Sequence, residues 1–234
     1  MHKSITNLVS IQSELKSRSD LDYETNIIAV SKTFSIDVIK PLIEHGHVHF
    51  GENKVQEALN KWQITKQKNN KLKLHMLGKL QTNKVKFAVG LFDYLHSVDN
   101  IKLAEKIAKE QQKNNFKPKI FLQVNIGNEE QKSGVSLNNL KELYELSVND
   151  FNLNVIGLMC LPPENKDPKE YFSKTKQLMN DAGLDNVLLT GGGIIPEKDA
   201  ISLKKIGVGT LFGPGTTVQQ TIDYIIKWVN ENRT

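Results

Sequence analysis

The chain has 234 residues, a length that suits one α/β barrel or two small domains, and its 31 basic and 26 acidic side chains give a net charge of +5. Only two basic residues are arginines, Arg18 and Arg233, and no arginine cluster with interleaved aromatic residues is present, so we expect no nucleic-acid partner. The single cysteine, Cys160, excludes an intramolecular disulfide and a cysteine-based metal cluster.

The amino-terminal residues lack the apolar core of a signal peptide, and no apolar run approaches membrane-spanning length. We therefore expect a cytoplasmic protein that binds no membrane. We also expect a monomer.

Eight short apolar stretches alternate with helical patterns along the whole chain. The stretches are rich in Ile, Val, Leu and Phe, which is typical of buried parallel strands. Strands are predicted over 26–32, 47–53, 73–78, 92–98, 118–125, 153–160, 186–190 and 207–212. Helices are predicted over 2–18, 35–46, 54–68, 81–89, 100–114, 136–148 and 168–182, with a short one from 196 and a last one over 217–230.

This alternation predicts an α/β fold, a (β/α)8 TIM barrel that forms a single domain over residues 1–234. The alternative is a five-stranded doubly wound domain with a smaller appendage.

Lys32 lies where the first predicted strand stops, at the end of the apolar run 26–32. In a barrel of this kind the carboxyl ends of the strands carry the active site. Burial there would favour the uncharged amine, which is a nucleophile toward an aldehyde. The alternative is an ordinary lysine whose ammonium group reaches solvent.

Two glycine-rich loops follow the last two predicted strands, and each leads into a helix. Glycine lets the backbone approach an anion closely, and helix N-termini offer unpaired N–H groups. Barrels commonly bind phosphate at the loops after strands seven and eight, although such loops can also be tight turns with ordinary caps. The candidate phosphate-binding residues are Thr190, Gly191, Gly192, Gly213, Gly215 and Thr216.

The histidines do not predict a metal site. His47 and His49 share one face of a strand, but no further ligand lies near them in sequence. We expect His75 and His96 to satisfy hydrogen bonds at strand ends.

Several motifs in the first three quarters of the chain form a specific set. They are Ile-Ala-Val-Ser-Lys at 28–32, Phe-Gly-Glu-Asn-Lys-Val-Gln-Glu at 50–57, His-Met-Leu-Gly-Lys-Leu-Gln-Thr-Asn-Lys at 75–84, Val-Asn-Ile at 124–126, Lys-Ser-Gly at 132–134 and Gly-Leu-Met at 157–159. In order and spacing, residues 1–182 resemble the pyridoxal phosphate homeostasis proteins (the YggS family).

The resemblance implies a barrel of the alanine racemase N-terminal-domain type in which Lys32 holds pyridoxal 5′-phosphate as a Schiff base. It also implies that Asn53 lies beside the cofactor ring and that Lys132 lies in a loop near the site. Members of the family have no established catalytic turnover, and the resemblance implies a role in vitamin B6 supply and in the balance of amino and keto acids.

Residues 183–234 depart from that family's usual ending. The arginine that normally faces the pyridine nitrogen has no counterpart, because no arginine occurs between Arg18 and Arg233. The stretches 189–199 and 207–216 are instead similar to the end of the flavodoxin-like cobalamin-binding domain of methylmalonyl-CoA mutases, although that domain's Asp-x-His-x-x-Gly segment is absent. The last two βα units are therefore interpreted as flavodoxin-like, and the chain as a hybrid.

Three functional hypotheses follow. The first is a carrier of pyridoxal 5′-phosphate without catalysis. The second is a racemase-like enzyme using the same cofactor, which would need an acid–base group opposite Lys32. The third is a hybrid barrel scaffold in which cofactor binding is weakened or lost.

Overall fold

The computed structural model describes residues 2–18, 27–127, 132–161, 168–181, 191–192, 201–203, 205, 208 and 211–212. Its main feature is a six-stranded, all-parallel sheet in which consecutive strands are neighbours, in the order β1 to β6. The strands are β1 (Ala29–Val30), β2 (His49–Glu52), β3 (Lys73–Met76), β4 (Tyr94–Val98), β5 (Lys119–Val124) and β6 (Asn154–Cys160). The helices are α1 (Lys3–Arg18), α2 (Ile36–Glu44), α3 (Val55–Lys68), α4 (Val85–Ala88, preceded by a 3₁₀ turn at Thr82–Lys84), α5 (Ile101–Asn114), α6 (Leu137–Glu145, continuing as a π-helical turn at Leu146–Asp150) and α7 (Pro168–Asp181).

The consecutive parallel order with helical crossovers is the one predicted for the barrel, and strands two to six lie within their predicted ranges. The first strand differs, because only Ala29 and Val30 form it instead of the run 26–32. In the described part of the chain, β1 pairs with β2 alone.

Local sequence accounts for several helix ends. The Asn100 side chain accepts a hydrogen bond from the Leu103 amide at 2.9 Å and caps the start of α5. Asn115 ends the same helix with φ of 47°, and Gly46 follows α2 with φ of 96°. Pro41 lies inside α2, which begins at Ile36, and the side chain of Ser35 at the N-cap makes no capping hydrogen bond.

The outer face of the sheet packs against the helices and forms the hydrophobic core. Alternate residues of the strands point to this face, and Phe50, Leu74, Leu95 and Ile120 are fully buried there. Trp62 of α3, also fully buried, lies with its ring centroid 4.8 Å from that of Phe50. This contact anchors α3 over β2.

The opposite face of the same strands carries a chain of three histidines. Nδ1 of His49 lies 3.0 Å from Nε2 of His75, and Nδ1 of His75 lies 3.1 Å from Nε2 of His96. Tyr94 stacks on His75 with 4.2 Å between ring centroids. Because a neutral imidazole has one donor and one acceptor nitrogen, both hydrogen bonds of His75 can form while all three rings are neutral.

Desolvation lowers the pKa of all three histidines. It lowers the pKa of His49 to about 4, with the neighbouring His47 adding to the effect, and the pKa of His96 to about 4. Burial also lowers the pKa of His75 well below its ordinary value, and the adjacent His96 and His49 lower it further. The sequence predicted hydrogen bonds for His75 and His96 but did not predict that they would bond to each other.

Two short strands lie outside the main sheet. Strand β7 (Gly191–Gly192) pairs in parallel with β8 (Leu211–Phe212). The prediction of a loop at Gly191 and Gly192 is therefore wrong, because both residues belong to a strand that pairs with β8. Glycine favours turns only through its conformational freedom, and it can also take part in backbone pairing.

We expect the histidine chain to make the protein sensitive to mild acid. Between pH 6.5 and about 4 the unfolded chain binds more protons at these histidines than the folded chain does. The free energy of unfolding therefore has its full value, as far as these histidines are concerned, above pH 6.5, and it decreases as the pH falls toward 4. We expect the free energy of unfolding, measured by urea titration, to fall by at least about 2 kcal/mol across this range.

The His75→Phe variant, with one titrating group fewer, should show a shallower pH dependence than the wild-type chain. The control is His2→Asn, at an exposed position, which should leave the pH dependence unchanged. A wild-type unfolding free energy that stays constant from pH 7 to pH 5 would contradict the assignment.

Candidate functional site

Lys32 lies in the turn after β1, at the carboxyl edge of the sheet, as the sequence predicts. Its side chain is exposed, which agrees with the alternative of a lysine that reaches solvent and not with a buried amine at the strand end. The reason is the shortness of β1, which ends at Val30, itself 49% exposed. The amine can therefore meet a ligand without local unfolding.

Hydrogen bonds fix the backbone on both sides of Lys32. The Ser31 amide donates to the Gly51 carbonyl at 2.9 Å and continues the pairing of β1 with β2. Thr33 has a φ of 70°, in the left-handed region, and its amide donates to Oε1 of Glu57 at 2.8 Å. The turn that carries Lys32 is therefore held against β2 and α3.

Asn53 follows β2 and is half-buried at the same edge of the sheet. Gly78, which follows β3, packs so closely against the Asn53 backbone that a Cβ atom on Gly78 would overlap the Asn53 carbonyl group. The Ser97 hydroxyl of β4 donates to the Gly78 carbonyl at 2.7 Å. The ends of β2, β3 and β4 are thus joined, and Asn53 has a defined position.

A cavity of about 260 Å³ lies at the carboxyl ends of β3, β5 and β6. Its walls combine apolar side chains with lysine and amide groups, including Leu77, Lys79, Gln123, Asn125, Lys132 and Met159. This mixture of a few polar groups with apolar walls is typical of small-molecule sites.

The loop with Lys132 is fixed against the end of β5. The Gln123 side-chain amide donates to the Ser133 carbonyl at 3.0 Å, and that of Asn125 donates to the Lys132 carbonyl at 3.3 Å. Gly134 has a φ of 133°, and a Cβ atom there would collide with the Asn125 backbone. The Lys-Ser-Gly motif at 132–134 therefore needs its glycine for close packing, and it places Lys132 in the wall of the cavity.

Leu77 links the cavity to the strands on which Lys32 depends. A Cβ atom added to Gly51 would lie 2.6 Å from Cδ1 of Leu77 and 3.1 Å from Cγ2 of Ile28. The Leu77 side chain thus rests on β2 and beside the chain leading into β1, at the edge where Lys32 leaves the sheet.

The candidate phosphate-binding residues are only partly described. Gly191 and Gly192 form β7, whereas Thr190, Gly213, Gly215 and Thr216 lie outside the described residues. The phosphate site stays a prediction.

A buried ion pair beside the Lys32 turn was missed by the sequence reasoning. Lys61 of α3 lies 2.9 Å from Oε1 of Glu52, and the two side chains are 7% and 0% exposed. The helical pattern could have indicated that Lys61 is buried. Lys61 precedes the buried Trp62 and lies three residues after the buried Ala58, on the core-facing side of an otherwise polar helix.

Among the residues whose positions are described, no group of three His, Cys, Asp or Glu side chains is arranged to hold a metal ion. None of the described helices combines the length and apolar character that crossing a membrane requires.

The family model of the alanine racemase N-terminal domain matches residues 7–186. The pyridoxal phosphate homeostasis protein of Aquifex aeolicus is 39% identical over 158 residues, which cover 66% of this chain and 68% of that protein. The one from Pasteurella multocida is 32% identical, over 76% of this chain and 81% of that protein. The chain belongs to the pyridoxal phosphate homeostasis protein family. Its fold is that of the alanine racemase N-terminal domain.

Solved structures agree with this assignment. PipY of Synechococcus elongatus, in a structure with pyridoxal phosphate bound, superposes with a TM-score of 0.64 at 30% identity, over 88% of this chain and 99% of PipY. An alanine racemase of Clostridium difficile, at 14% identity and a TM-score of 0.58 over 88% of this chain and 53% of that one, shares the fold.

These similarities continue beyond residue 182. The homeostasis protein of Haemophilus influenzae is 28% identical over a match that covers 87% of this chain and 90% of that protein, a span too long to end at 182. The match to PipY likewise extends into the last quarter.

We expect Gly78→Ala to disturb the site through Asn53. The new methyl group would meet backbone atoms that cannot rotate away, so we expect a loss of stability of about 1–3 kcal/mol and a displaced Asn53. The control is Gly51→Ala, where the closest contact is the mobile end of Leu77, and it should cost less. Urea unfolding of both variants measures the difference; equal stabilities for the two would contradict the packing argument.

Proposed function

We propose that this chain binds pyridoxal 5′-phosphate through a Schiff base on Lys32 and acts in vitamin B6 homeostasis without catalytic turnover. The observation that carries the proposal is an exposed lysine amine that follows β1 at the carboxyl edge of the sheet, the same edge at which Asn53 follows β2 and the cavity lies. The structure of PipY with pyridoxal phosphate, 30% identical to this chain, supports the choice of cofactor.

The described residues suit this cofactor. Bound pyridoxal 5′-phosphate would supply an aldehyde, with which the Lys32 amine condenses to a Schiff base with loss of water. Asn53 is the residue that we propose to contact the ring, and the cavity of about 260 Å³, which has polar and apolar walls, lies at the same edge of the sheet. Thr190, Gly191, Gly192, Gly213, Gly215 and Thr216 remain the proposed phosphate-binding residues, through the backbone donors of the two glycine-rich segments.

No described residue favours the racemase alternative. Burial raises the pKa of the Cys160 thiol to about 12, so it is not prepared to exchange a proton near neutral pH. The Tyr94 ring is stacked on His75, and its hydroxyl accepts a hydrogen bond from Lys119 at 3.4 Å. The surroundings of Cys160 and Tyr94 therefore favour a structural role for both side chains over an acid–base role.

We propose that residues 183–234 complete a single barrel domain, which the parallel pairing of β7 with β8 supports. We further propose a cytoplasmic monomer without nucleic-acid or membrane partners. The scarcity of arginine supports the lack of a nucleic-acid partner, and size-exclusion chromatography tests the monomer.

The hybrid origin of residues 183–234, with flavodoxin-like last units, is a separate proposal. The sequence similarity of 189–199 and 207–216 to the cobalamin-binding domain favours this proposal, whereas the family matches that continue beyond residue 182 count against it. Replacing residues 183–234 by the corresponding segment of PipY tests it, because a foreign ending should bind the cofactor phosphate less well than the family's own. Unchanged affinity for pyridoxal phosphate would count against the hybrid.

The proposed function predicts saturable binding of pyridoxal phosphate with a visible absorption band from the lysine-bound cofactor. In Lys32→Ala the band should disappear and the dissociation constant should rise at least about tenfold, since the covalent bond is lost. Lys40→Ala, at an exposed position of α2, serves as the control and should behave like the wild-type chain. A wild-type chain without saturable binding would favour the scaffold hypothesis, whereas racemisation of an amino acid above background would favour the enzyme.

A further inference from the structure

The Glu52–Lys61 ion pair lies directly beneath the turn that carries Lys32. The Nζ–Oε1 distance is 2.9 Å, and the pair is almost completely buried. Removing two charges from water is costly, and a buried ion pair often contributes little net stability compared with apolar residues of the same size. A geometric role therefore explains this pair better than a stabilising one.

The contacts of the pair converge on Ser31, the residue immediately before Lys32. The Ser31 hydroxyl donates to Oε1 of Glu52 at 2.7 Å, and Nζ of Lys61 donates to the Ser31 carbonyl oxygen at 2.8 Å. Trp62 Nε1 donates to the same Glu52 oxygen at 2.9 Å, which fixes the carboxylate on the packed face of α3. Both polar groups of Ser31 that face α3 are thus bound by the ion pair.

Lys61 also approaches the residue that holds the other side of the turn. Its Nζ lies 3.7 Å from Oε1 of Glu57, the oxygen that accepts the Thr33 amide. Thr33 has a left-handed backbone, which is unfavourable for a β-branched residue and persists only where its surroundings enforce it. A single ammonium group therefore contributes to fixing the residues before and after Lys32.

The side chain of Lys32 is exposed, so packing does not decide where its amine points. The backbone of the turn sets the origin of the side chain, and reactivity toward a bound partner depends on such placement to within about an ångström. We propose that Lys61 is a positioning residue that, through Glu52, Ser31 and Glu57, holds the turn in the conformation that presents the Lys32 amine to the cofactor. The proposal depends on the proposed function of Lys32.

The test uses the full-length Lys61→Met variant, which removes the ammonium group and retains most of the apolar stem. The control is Lys68→Met on the same helix, where the lysine is exposed. The first readout, without cofactor, is amide hydrogen exchange of Ser31 and Thr33, which donate to Gly51 and Glu57. The second is the dissociation constant for pyridoxal phosphate.

We expect the Ser31 and Thr33 amides to exchange faster in Lys61→Met than in the wild-type chain, and the dissociation constant for pyridoxal phosphate to rise about tenfold. Lys68→Met should change neither the exchange rates nor the dissociation constant. Unchanged exchange would overturn the proposal, and so would faster exchange with unchanged affinity. If wild-type protein fails to bind pyridoxal phosphate, the proposed function fails, and the exchange experiment alone still decides whether Lys61 holds the turn.

Loss of Lys61 leaves the Glu52 carboxylate buried without its cation, which can unfold the chain. The double variant Glu52→Gln/Lys61→Met avoids this, because it removes both charges together. We expect it to fold and still to show faster exchange and weaker binding. A folded double variant with wild-type exchange or affinity would overturn the proposal independently of the single variant.

Discussion

Two backbone hydrogen bonds beyond the last strand residues organise the candidate site. The Ser31 amide donates to the Gly51 carbonyl at 2.9 Å, and the Leu77 amide donates to the Glu52 carbonyl at 2.8 Å. They extend the parallel pairing by one residue at the ends of β1, β2 and β3. As a result, Lys32 and the residues that follow β2 and β3 leave three neighbouring strands at one edge of the sheet, where a barrel carries its binding site.

The two faces of the sheet have separate roles. The outer face carries the apolar core and, at its carboxyl edge, the Glu52–Lys61 pair that reaches toward the Lys32 turn. The opposite face carries the hydrogen-bonded histidines and, near the strand ends, the cavity with its lysine and amide groups. The cavity therefore places polar side chains where a charged cofactor would bind. The histidines do not line it, and their desolvation makes the fold vulnerable to mild acid.

Much of the fold could be predicted from the sequence, since short stretches that contain apolar residues alternate with helical patterns from β2 to β6. The length of β1 could not, because an apolar run does not show how much of it finds a pairing partner. The conformation of Gly191 and Gly192 could not be predicted either, because two consecutive glycines are equally compatible with a loop and with a strand. The pattern located Lys32, whereas its exposure is decided by where pairing with β2 stops.

The supporting contacts of the site depend on distances between residues far apart in sequence. His49, His75 and His96 belong to three strands, and only the register of those strands brings their rings within hydrogen-bond distance. The helical pattern shows Lys61 only as a charged residue among buried positions. It does not indicate that Glu52 is its partner. The identity of the cofactor came from resemblance to a family and not from spacing or composition.

The central claim is that Lys32 is the residue that holds the cofactor. Borohydride reduction of the wild-type chain saturated with pyridoxal phosphate, followed by mass mapping of its peptides, tests this claim most directly. We predict a single stable cofactor adduct on the peptide that contains Lys32. An adduct on a cavity lysine such as Lys79 or Lys132, with Lys32 unmodified, would contradict it.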